Sequence, residues 1–322
     1  MARRGAGAAG PGGAVVRALL RAIVLMSLAV AVAGCGRPSG PADPGPVSGR
    51  VQIVAAENQY ANVAAQIGGR YVQTAAIERL PNTDPHTFEA TVSVARELAA
   101  ANLVIINGLG YDAWAQKMLA AAPRGARTVL DVQTVLGLPD NTPNPHLWYA
   151  PTTMPAVAKA VAADLATMQP AHAAYFHANV ARFDQSLHPW YAALNGFKAR
   201  YGGTAVAVTE PVGDALLVAA GCTIATPFSF QAAIMNGIDP TPQDLTAQQG
   251  LLKDHRVRVF LYNQQVTDAL TASLLALAQA NDVPVVGLYE TMPPRYTYQS
   301  WMLAETQALQ RAVADHQSTT RL

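Results

Sequence analysis

Two histidines and two glutamates lie at the places where strands of a predicted α/β fold end. His86 follows the second predicted strand and His146 follows the fourth, while Glu210 closes the fifth and Glu290 the eighth. In open α/β sheets, ligands bind beyond the carboxyl ends of the strands. Imidazole nitrogens and carboxylate oxygens are suited to zinc, manganese and iron. The four positions together therefore predict a site for a divalent transition metal.

Each of these residues, taken singly, also has an ordinary structural interpretation. A histidine in a loop is more often a surface residue than a ligand, and a glutamate after a strand can cap a helix or remain solvated. Pro85 and Pro145 precede the two histidines and fix the backbone φ angle ahead of each imidazole, which suits a preformed site. The prediction of a metal site therefore depends on all four residues meeting.

The elements that must position these side chains alternate between short apolar runs and helical patterns. This alternation predicts two βαβ lobes, each built on a four-stranded, mainly parallel sheet. The predicted strands are Val51–Ala55, Val72–Ile77, Leu103–Asn107, Thr128–Asp131, Ala205–Thr209, Thr223–Pro227, Val257–Tyr262 and Val283–Leu288. The predicted helices are Tyr60–Ile67, Val92–Ala101, Ala113–Ala121, Thr153–Met168, Gly213–Ala220, Pro242–Lys253, Thr267–Ala280 and Tyr298–Asp315.

A long helical pattern over 171–200 is expected to join the two lobes. We predict an N-terminal lobe at 50–169, a linker helix at 170–200 and a C-terminal lobe at 201–322. Pro189 is expected to kink the linker or end it early. A stiff helical linker predicts small tilting motions of the lobes rather than wide hinge opening.

The N-terminal residues are predicted to be a targeting segment. Arginines precede an apolar core too short to span a bilayer, which is typical of a signal peptide. The small residues before Cys35 resemble the lipobox of bacterial lipoproteins, so residues 1–34 would be removed and Cys35 lipidated; an ordinary signal peptide with an incidental cysteine is the alternative. Residues 35–49 form a flexible tether. The body is thus expected to be extracytoplasmic and anchored to the cell membrane.

Composition excludes several functional classes. The 322 residues carry 22 Lys and Arg against 21 Asp and Glu, a formal net charge of +1, which excludes a nucleic-acid-binding protein built on a basic face. The hydrophobic fraction of 51% and the charged fraction of 13% are not those of a disordered chain. With Cys35 lipidated, Cys222 would be alone, so no intramolecular disulfide is expected.

The motifs around the two histidines resemble those of a known family. The stretch Asp84–Glu89, the Asn-Pro-His-x-Trp sequence at 144–148 and the acids that close strands five and eight are similar to the solute-binding lipoproteins of zinc/manganese ABC importers. The resemblance implies two lobes joined by a long helix, with a metal held between them by His86, His146, Glu210 and Glu290. It implies no enzymatic activity. The chain would act as a monomer that delivers its cargo to an ABC permease.

The chain departs from the family pattern at two positions. The final acid of the family usually stands in Thr-Asp-Ser, whereas here Glu290 is longer and appears one place earlier. Ala150 replaces the Asp that normally follows the second histidine motif. The His-rich loop of some zinc-specific members is also missing, since residues 132–145 contain no histidine.

The ligand types indicate how the cargo metal would be chosen. Two histidines and two monodentate carboxylates give a neutral, four-coordinate Zn²⁺ site. Bidentate carboxylates would raise the coordination number to five or six, which Mn²⁺ tolerates, although zinc should bind more tightly by the Irving–Williams order. Asp84, Asn58 and Asn107 are candidates to orient the ligands.

Two other functional classes stay open from the sequence. A binding protein for a metal chelate or small organic solute would use aromatic residues of the cleft, for which Tyr60, Tyr111, Trp114 and Trp148 are available. An extracytoplasmic metallohydrolase would keep an open coordination position for water, with Glu290 as a free base. No HExxH or similar hydrolase motif supports that second alternative.

Overall fold

A computed structural model describes residues 49–80, 88–123, 125 and 127–322. The predicted signal peptide, Cys35 and nearly all of the predicted tether lie outside the described residues, as does His86. No helix in the described ranges combines the length and the apolar character needed to cross a bilayer.

The N-terminal lobe contains a parallel sheet in the order β2-β1-β3-β4. Its strands are β1 (Val51–Glu57), β2 (Val72–Glu78), β3 (Leu103–Ile106) and β4 (Thr128–Asp131). β3 is a continuous apolar run and β1 is buried over most of its length, as expected for parallel strands covered on both faces by helices. The strand order reverses between β1 and β3, and such a switch point opens a crevice at the carboxyl ends of the strands.

The C-terminal lobe repeats this topology with the order β6-β5-β7-β8. Its strands are β5 (Ala205–Val208), β6 (Thr223–Ile224), β7 (Val259–Asn263) and β8 (Val285–Leu288). Adjacent strands in the two sheets run parallel. The predicted two-lobe α/β architecture is therefore confirmed.

Helices cover both sheets and begin where the sequence supplies capping groups. Thr241 and Asp268 accept hydrogen bonds from the first turns of their helices, and Thr297 forms a capping box with Ser300. The described helices are α1 (Asn58–Gly68), α2 (Val92–Ala100), α3 (Ala113–Ala121), α4 (Val132–Val135), α5 (Thr153–Met168), α6 (Ala173–Ser186), α7 (His188–Tyr201), α8 (Asp214–Ala219), α9 (Phe228–Met235), α10 (Pro242–Lys253), α11 (Ala269–Ala280) and α12 (Tyr298–Asp315).

The linker consists of two consecutive helices, α6 and α7, which meet at Leu187. Pro189 lies in the first turn of α7, where its missing N–H is tolerated, so the expected interruption at this proline is confirmed. α6 packs on α1 and α5 of the N-terminal lobe, whereas α7 packs on α12 of the C-terminal lobe. The break thus coincides with the change of packing partner.

Some element bounds differ from those predicted. β6 ends at Ile224 instead of Pro227, because Thr226 uses its hydroxyl to bond the backbone of Val208 rather than continuing the ladder. β7 begins two residues later than expected, and α9 was not predicted. These changes leave the carboxyl ends of β5, β7 and β8 together at one edge.

One hydrophobic core extends through both lobes. It joins side chains on both sheets and both linker helices, including Ile53, Trp148, Trp190, Leu288 and Trp301. Each of these five side chains is buried. A core shared in this way resists large separation of the lobes, because opening would expose apolar surface to water.

Candidate metal centre

His146 is held by Asn144 in a single orientation. The Asn144 Oδ1 accepts a hydrogen bond from the His146 backbone N–H (3.0 Å) and lies 2.8 Å from Nδ1 of the imidazole. The Asn144 Nδ2 donates to the carbonyl of Pro211 in the C-terminal lobe (2.7 Å), which fixes the amide so that its oxygen faces the ring. Nδ1 therefore carries a proton, and Nε2 is the nitrogen available for a ligand.

Nε2 of His146 faces a carboxylate from the other lobe. Glu290 Oε2 lies 3.2 Å from this nitrogen, and both side chains are buried. With Nδ1 protonated, Nε2 and Oε2 would point lone pairs at each other unless a proton or a cation lies between them. Two ligands of a tetrahedral ion with bonds of about 2.0–2.1 Å lie about 3.3 Å apart, so the observed separation suits a shared metal.

Glu290 follows β8 and is held by hydrogen bonds from both lobes. Asn263, the last residue of β7, donates from Nδ2 to Oε1 (2.5 Å), and Tyr111 of the N-terminal lobe donates from its hydroxyl to Oε2 (2.8 Å). Burial and the nearby Glu290 carboxylate raise the pKa of Tyr111 well above its usual value, so this phenol stays a donor. The carboxylate is therefore oriented by two neutral donors.

The backbone at Glu290 is fixed as well. Gln265 Oε1 accepts from the backbone N–H groups of Glu290 (2.7 Å) and Thr291 (2.8 Å), and Gln59 donates to the Glu290 carbonyl (3.3 Å). All four residues are buried. Such support limits movement of Glu290 to rotation of its own side chain.

Glu210 follows β5 and is buried, with 2% of its surface exposed. Its neighbours connect it to the other site residues: Thr209 accepts a hydrogen bond from the backbone of Asn263 (3.1 Å), and Pro211 accepts from Asn144. No group of three His, Cys, Asp or Glu side chains in the described ranges is arranged to hold a metal. The structure thus brings His146 and Glu290 into direct contact, with Glu210 attached through its flanking residues.

His86 and the candidate Asp84 lie in 81–87, outside the described residues. The described residues on either side of this segment are connected through Trp114. Its indole N–H donates to Glu78 at the end of β2 (3.0 Å), and its ring lies 4.8 Å from that of Phe88. The histidine motif is therefore flanked by anchored residues at the carboxyl edge of the N-terminal sheet.

Buried carboxyl groups also lie at this edge of the N-terminal sheet. Glu57 and Glu78 are register partners at the ends of β1 and β2, and both are buried, as is Asp112. Burial, followed by the nearby charges of Asp112 and Glu78, raises the pKa of Glu57 well above its usual value, which favours its protonated form. Asp112 accepts from the backbone N–H groups of Asn107 and Gly108 and so closes the loop after β3.

Two asparagines expected near the site support the loops that carry the predicted ligands. Asn58 exchanges hydrogen bonds with the backbone of Met292, two residues after Glu290. Asn107 donates to the carbonyl of Pro145, which precedes His146 (2.9 Å). Both asparagines therefore bond to the backbone of these loops.

Sequence reasoning missed Asn263 and Gln265 and misjudged the role of Tyr111. The two amides follow the apolar run of β7, between the strands that carry Glu210 and Glu290, and polar residues at that strand end were the available signal. Tyr111 was considered only as an aromatic side chain for an organic ligand. Two other aromatics considered in that role, Tyr60 and Trp148, are fully buried core residues.

Comparison with protein families gives one match over most of the chain. Residues 53–312 match the family model described as zinc-uptake complex component A, periplasmic. A curated relative, the manganese-binding lipoprotein MntA of Bacillus subtilis (strain 168), is 24% identical over 166 residues. That alignment covers 49% of this chain, and the chain spans about half the length of the relative (52%).

Solved structures share the fold at low sequence identity. A crystal structure of ZnuA has a TM-score of 0.68 at 20% identity, covering 82% of this chain and 100% of that one. FpvC of Pseudomonas aeruginosa in complex with Mn²⁺ (TM-score 0.69, 18% identity) and the periplasmic zinc-binding protein TroA of Treponema pallidum (0.68, 17%) each cover 83% of this chain and are themselves covered to 99%. These similarities establish the two-lobe architecture independently of the motifs.

Proposed function

This chain belongs to the family of periplasmic component A proteins of zinc-uptake complexes, and we propose that it captures a divalent transition metal between its lobes for import. Proteins of this family bind solutes for transport and are not enzymes. The proposed ligands are His86, His146, Glu210 and Glu290. Zinc is the preferred candidate for the cargo, and manganese is the second candidate.

The contact between His146 and Glu290 carries the proposal. An imidazole nitrogen of one lobe faces a carboxylate oxygen of the other at 3.2 Å, with both side chains buried. Burying a carboxylate is costly unless the charge is paired. Glu210 and Glu290 together bring two negative charges when ionised, and a divalent cation would balance both.

Capture requires binding but no chemical transformation of the cargo. The ion would exchange its water for protein ligands, and tethering of Glu290 to Tyr111 and of Asn144 to Pro211 would keep the lobes aligned. The loaded protein, a monomer anchored through Cys35, would then deliver the metal to an ABC permease.

Elemental analysis and calorimetry of the soluble body from Gly36 onward test this function. We expect about one metal ion per chain, and loss of stoichiometric uptake in His86→Ala, His146→Ala and Glu290→Ala. His316→Ala is the matched control, because His316 is exposed and pairs with Asp282, which precedes β8 at the opposite end of this strand from Glu290. Unchanged affinity in all three ligand variants would disprove the site, and an organic ligand in place of metal would disprove the cargo.

A further inference from the structure

The two oxygens of Glu290 have different partners, and this difference bears on which metal fits. Oε1 accepts from Asn263 Nδ2, whereas Oε2 accepts from Tyr111 and faces His146 Nε2. Only Oε2 is therefore placed beside the nitrogen that would bind the ion. An asymmetric carboxylate of this kind is suited to donating one oxygen.

The Asn263 amide cannot exchange its two ends without penalty. Its Oδ1 accepts from the backbone N–H of Gln265 (2.9 Å), and its own backbone N–H donates to Thr209 (3.1 Å). Reversing the amide would turn its oxygen toward Glu290 and its NH₂ toward another N–H group. Since the residue is 1% exposed, water cannot compensate for either mismatch.

We propose that Asn263 is a positioning residue that keeps Glu290 a one-oxygen ligand and thereby favours four-coordinate zinc over manganese. This inference rests on the proposed function. Bidentate binding would require the carboxylate to rotate and give up its charge-assisted hydrogen bond from Asn263. The backbone cannot shift instead, because Gln265 holds the N–H groups of Glu290 and Thr291.

The preference follows from coordination number. Zinc is stable with four ligands and needs no second oxygen from any carboxylate. Manganese favours an octahedral, oxygen-rich environment, so it loses more when Glu290 is limited to one oxygen. Removing the hydrogen bond from Asn263 to Glu290 should therefore reduce the preference for zinc over manganese.

X-ray absorption spectroscopy of the soluble body, loaded separately with Zn²⁺ and Mn²⁺, tests the inference together with competition titrations. In Asn263→Leu and Asn263→Ala we expect zinc affinity to fall about 10- to 100-fold. We expect the ratio of manganese to zinc dissociation constants to fall at least tenfold. Loss of a hydrogen-bond partner that orients a metal ligand typically changes metal affinity by about one order of magnitude or more. We also expect the coordination number of the bound metal to rise.

Two control variants separate this role from general damage. Asn281→Leu makes the same change at the end of α11 and should alter none of these three quantities. Tyr111→Phe removes the donor to Oε2 but keeps the one to Oε1, so it should leave the zinc coordination number unchanged whatever it does to affinity. An equal rise in coordination number in Tyr111→Phe would overturn the assignment to Asn263.

The wild-type protein decides the question if the Asn263 variants do not fold. A zinc-bound structure with one Glu290 oxygen at about 2.0 Å and the other clearly farther supports the proposal, and two equal zinc–oxygen distances overturn it. Failure of the wild type to bind any metal would disprove the proposed function itself. Metal binding with a bidentate Glu290 would disprove only the role of Asn263.

Discussion

Replacing Glu305 by glutamine should remove a pH-dependent loss of stability. Glu305 lies in α12 with 1% of its surface exposed, and its Oε1 accepts from the indole N–H of Trp301 (2.7 Å). Burial raises the pKa of Glu305 from 4.5 to about 8, and the hydrogen bond from Trp301 offsets only part of this effect. A glutamine at this position keeps an oxygen that can accept the hydrogen bond from Trp301. Its amide cannot ionise.

The sign of the effect follows from which state holds the proton. Below pH 4.5 the carboxyl is protonated in both the folded and the unfolded chain, so its contribution to stability is fully present. Between pH 4.5 and about 8 the unfolded chain releases the proton while the folded chain keeps it, so stability falls as pH rises. At about 1.4 kcal/mol per pH unit, the full loss is of the order of 5 kcal/mol.

Urea unfolding of the metal-free soluble body between pH 4.5 and 9 measures this loss. The free energy of unfolding of Glu305→Gln should exceed that of the wild type by a margin that grows with pH and levels off above pH 8. Glu97→Gln, on the exposed face of α2, is the control and should show no such trend. A constant difference between Glu305→Gln and the wild type across this range would refute the assigned pKa.

Three further predictions concern the site and the backbone. Asn144→Ala should lower metal affinity about 10- to 100-fold in competition titrations, because His146 loses the acceptor that fixes its ring; unchanged affinity would contradict the tautomer assignment. Acidification should weaken metal binding in calorimetry, since protons compete for the same ligand atoms. Gly69→Ala should destabilise the fold by about 1–3 kcal/mol in thermal unfolding, because Gly69 has a φ of 52° and an added Cβ would lie 2.2 Å from the Tyr175 hydroxyl.

Local patterns were sufficient to predict most of the fold. β4, α3, α5, α10 and α12 have the predicted bounds. Among these helices, α10 and α12 begin at threonines whose side chains cap the first turn. The linker shows where local pattern is not enough. Proline indicated an interruption, but the change from N-terminal to C-terminal packing partners at Leu187 is a tertiary feature with no local signal.

The candidate site could be predicted in part, for a similar reason. Strand ends identify Glu210 and Glu290 as neighbours, because parallel topology places both at one edge of the C-terminal sheet. The contact of Glu290 with His146 joins the two lobes and does not follow from the topology of either sheet. The hydrogen bonds to Glu290 from Asn263 and Tyr111 join residues 27 and 179 positions apart in the chain. Spacing cannot reveal such partners, and amides and tyrosines are common in loops without any role in a site.

The shared core and the cross-lobe hydrogen bonds together limit how far the two lobes can separate. The same hydrophobic cluster contains residues of both sheets and of both linker helices, so wide separation of the lobes would expose a large apolar surface. Tyr149 also bonds the backbone of Tyr289 across the site, with its hydroxyl donating to the carbonyl at 2.8 Å. Under the proposed function, small rearrangements of the loops that carry the proposed ligands would therefore be enough for capture, with the lobes as a nearly fixed frame. Metal selectivity would then come from how each proposed ligand is held, since lobes that move little cannot adapt their geometry to every ion.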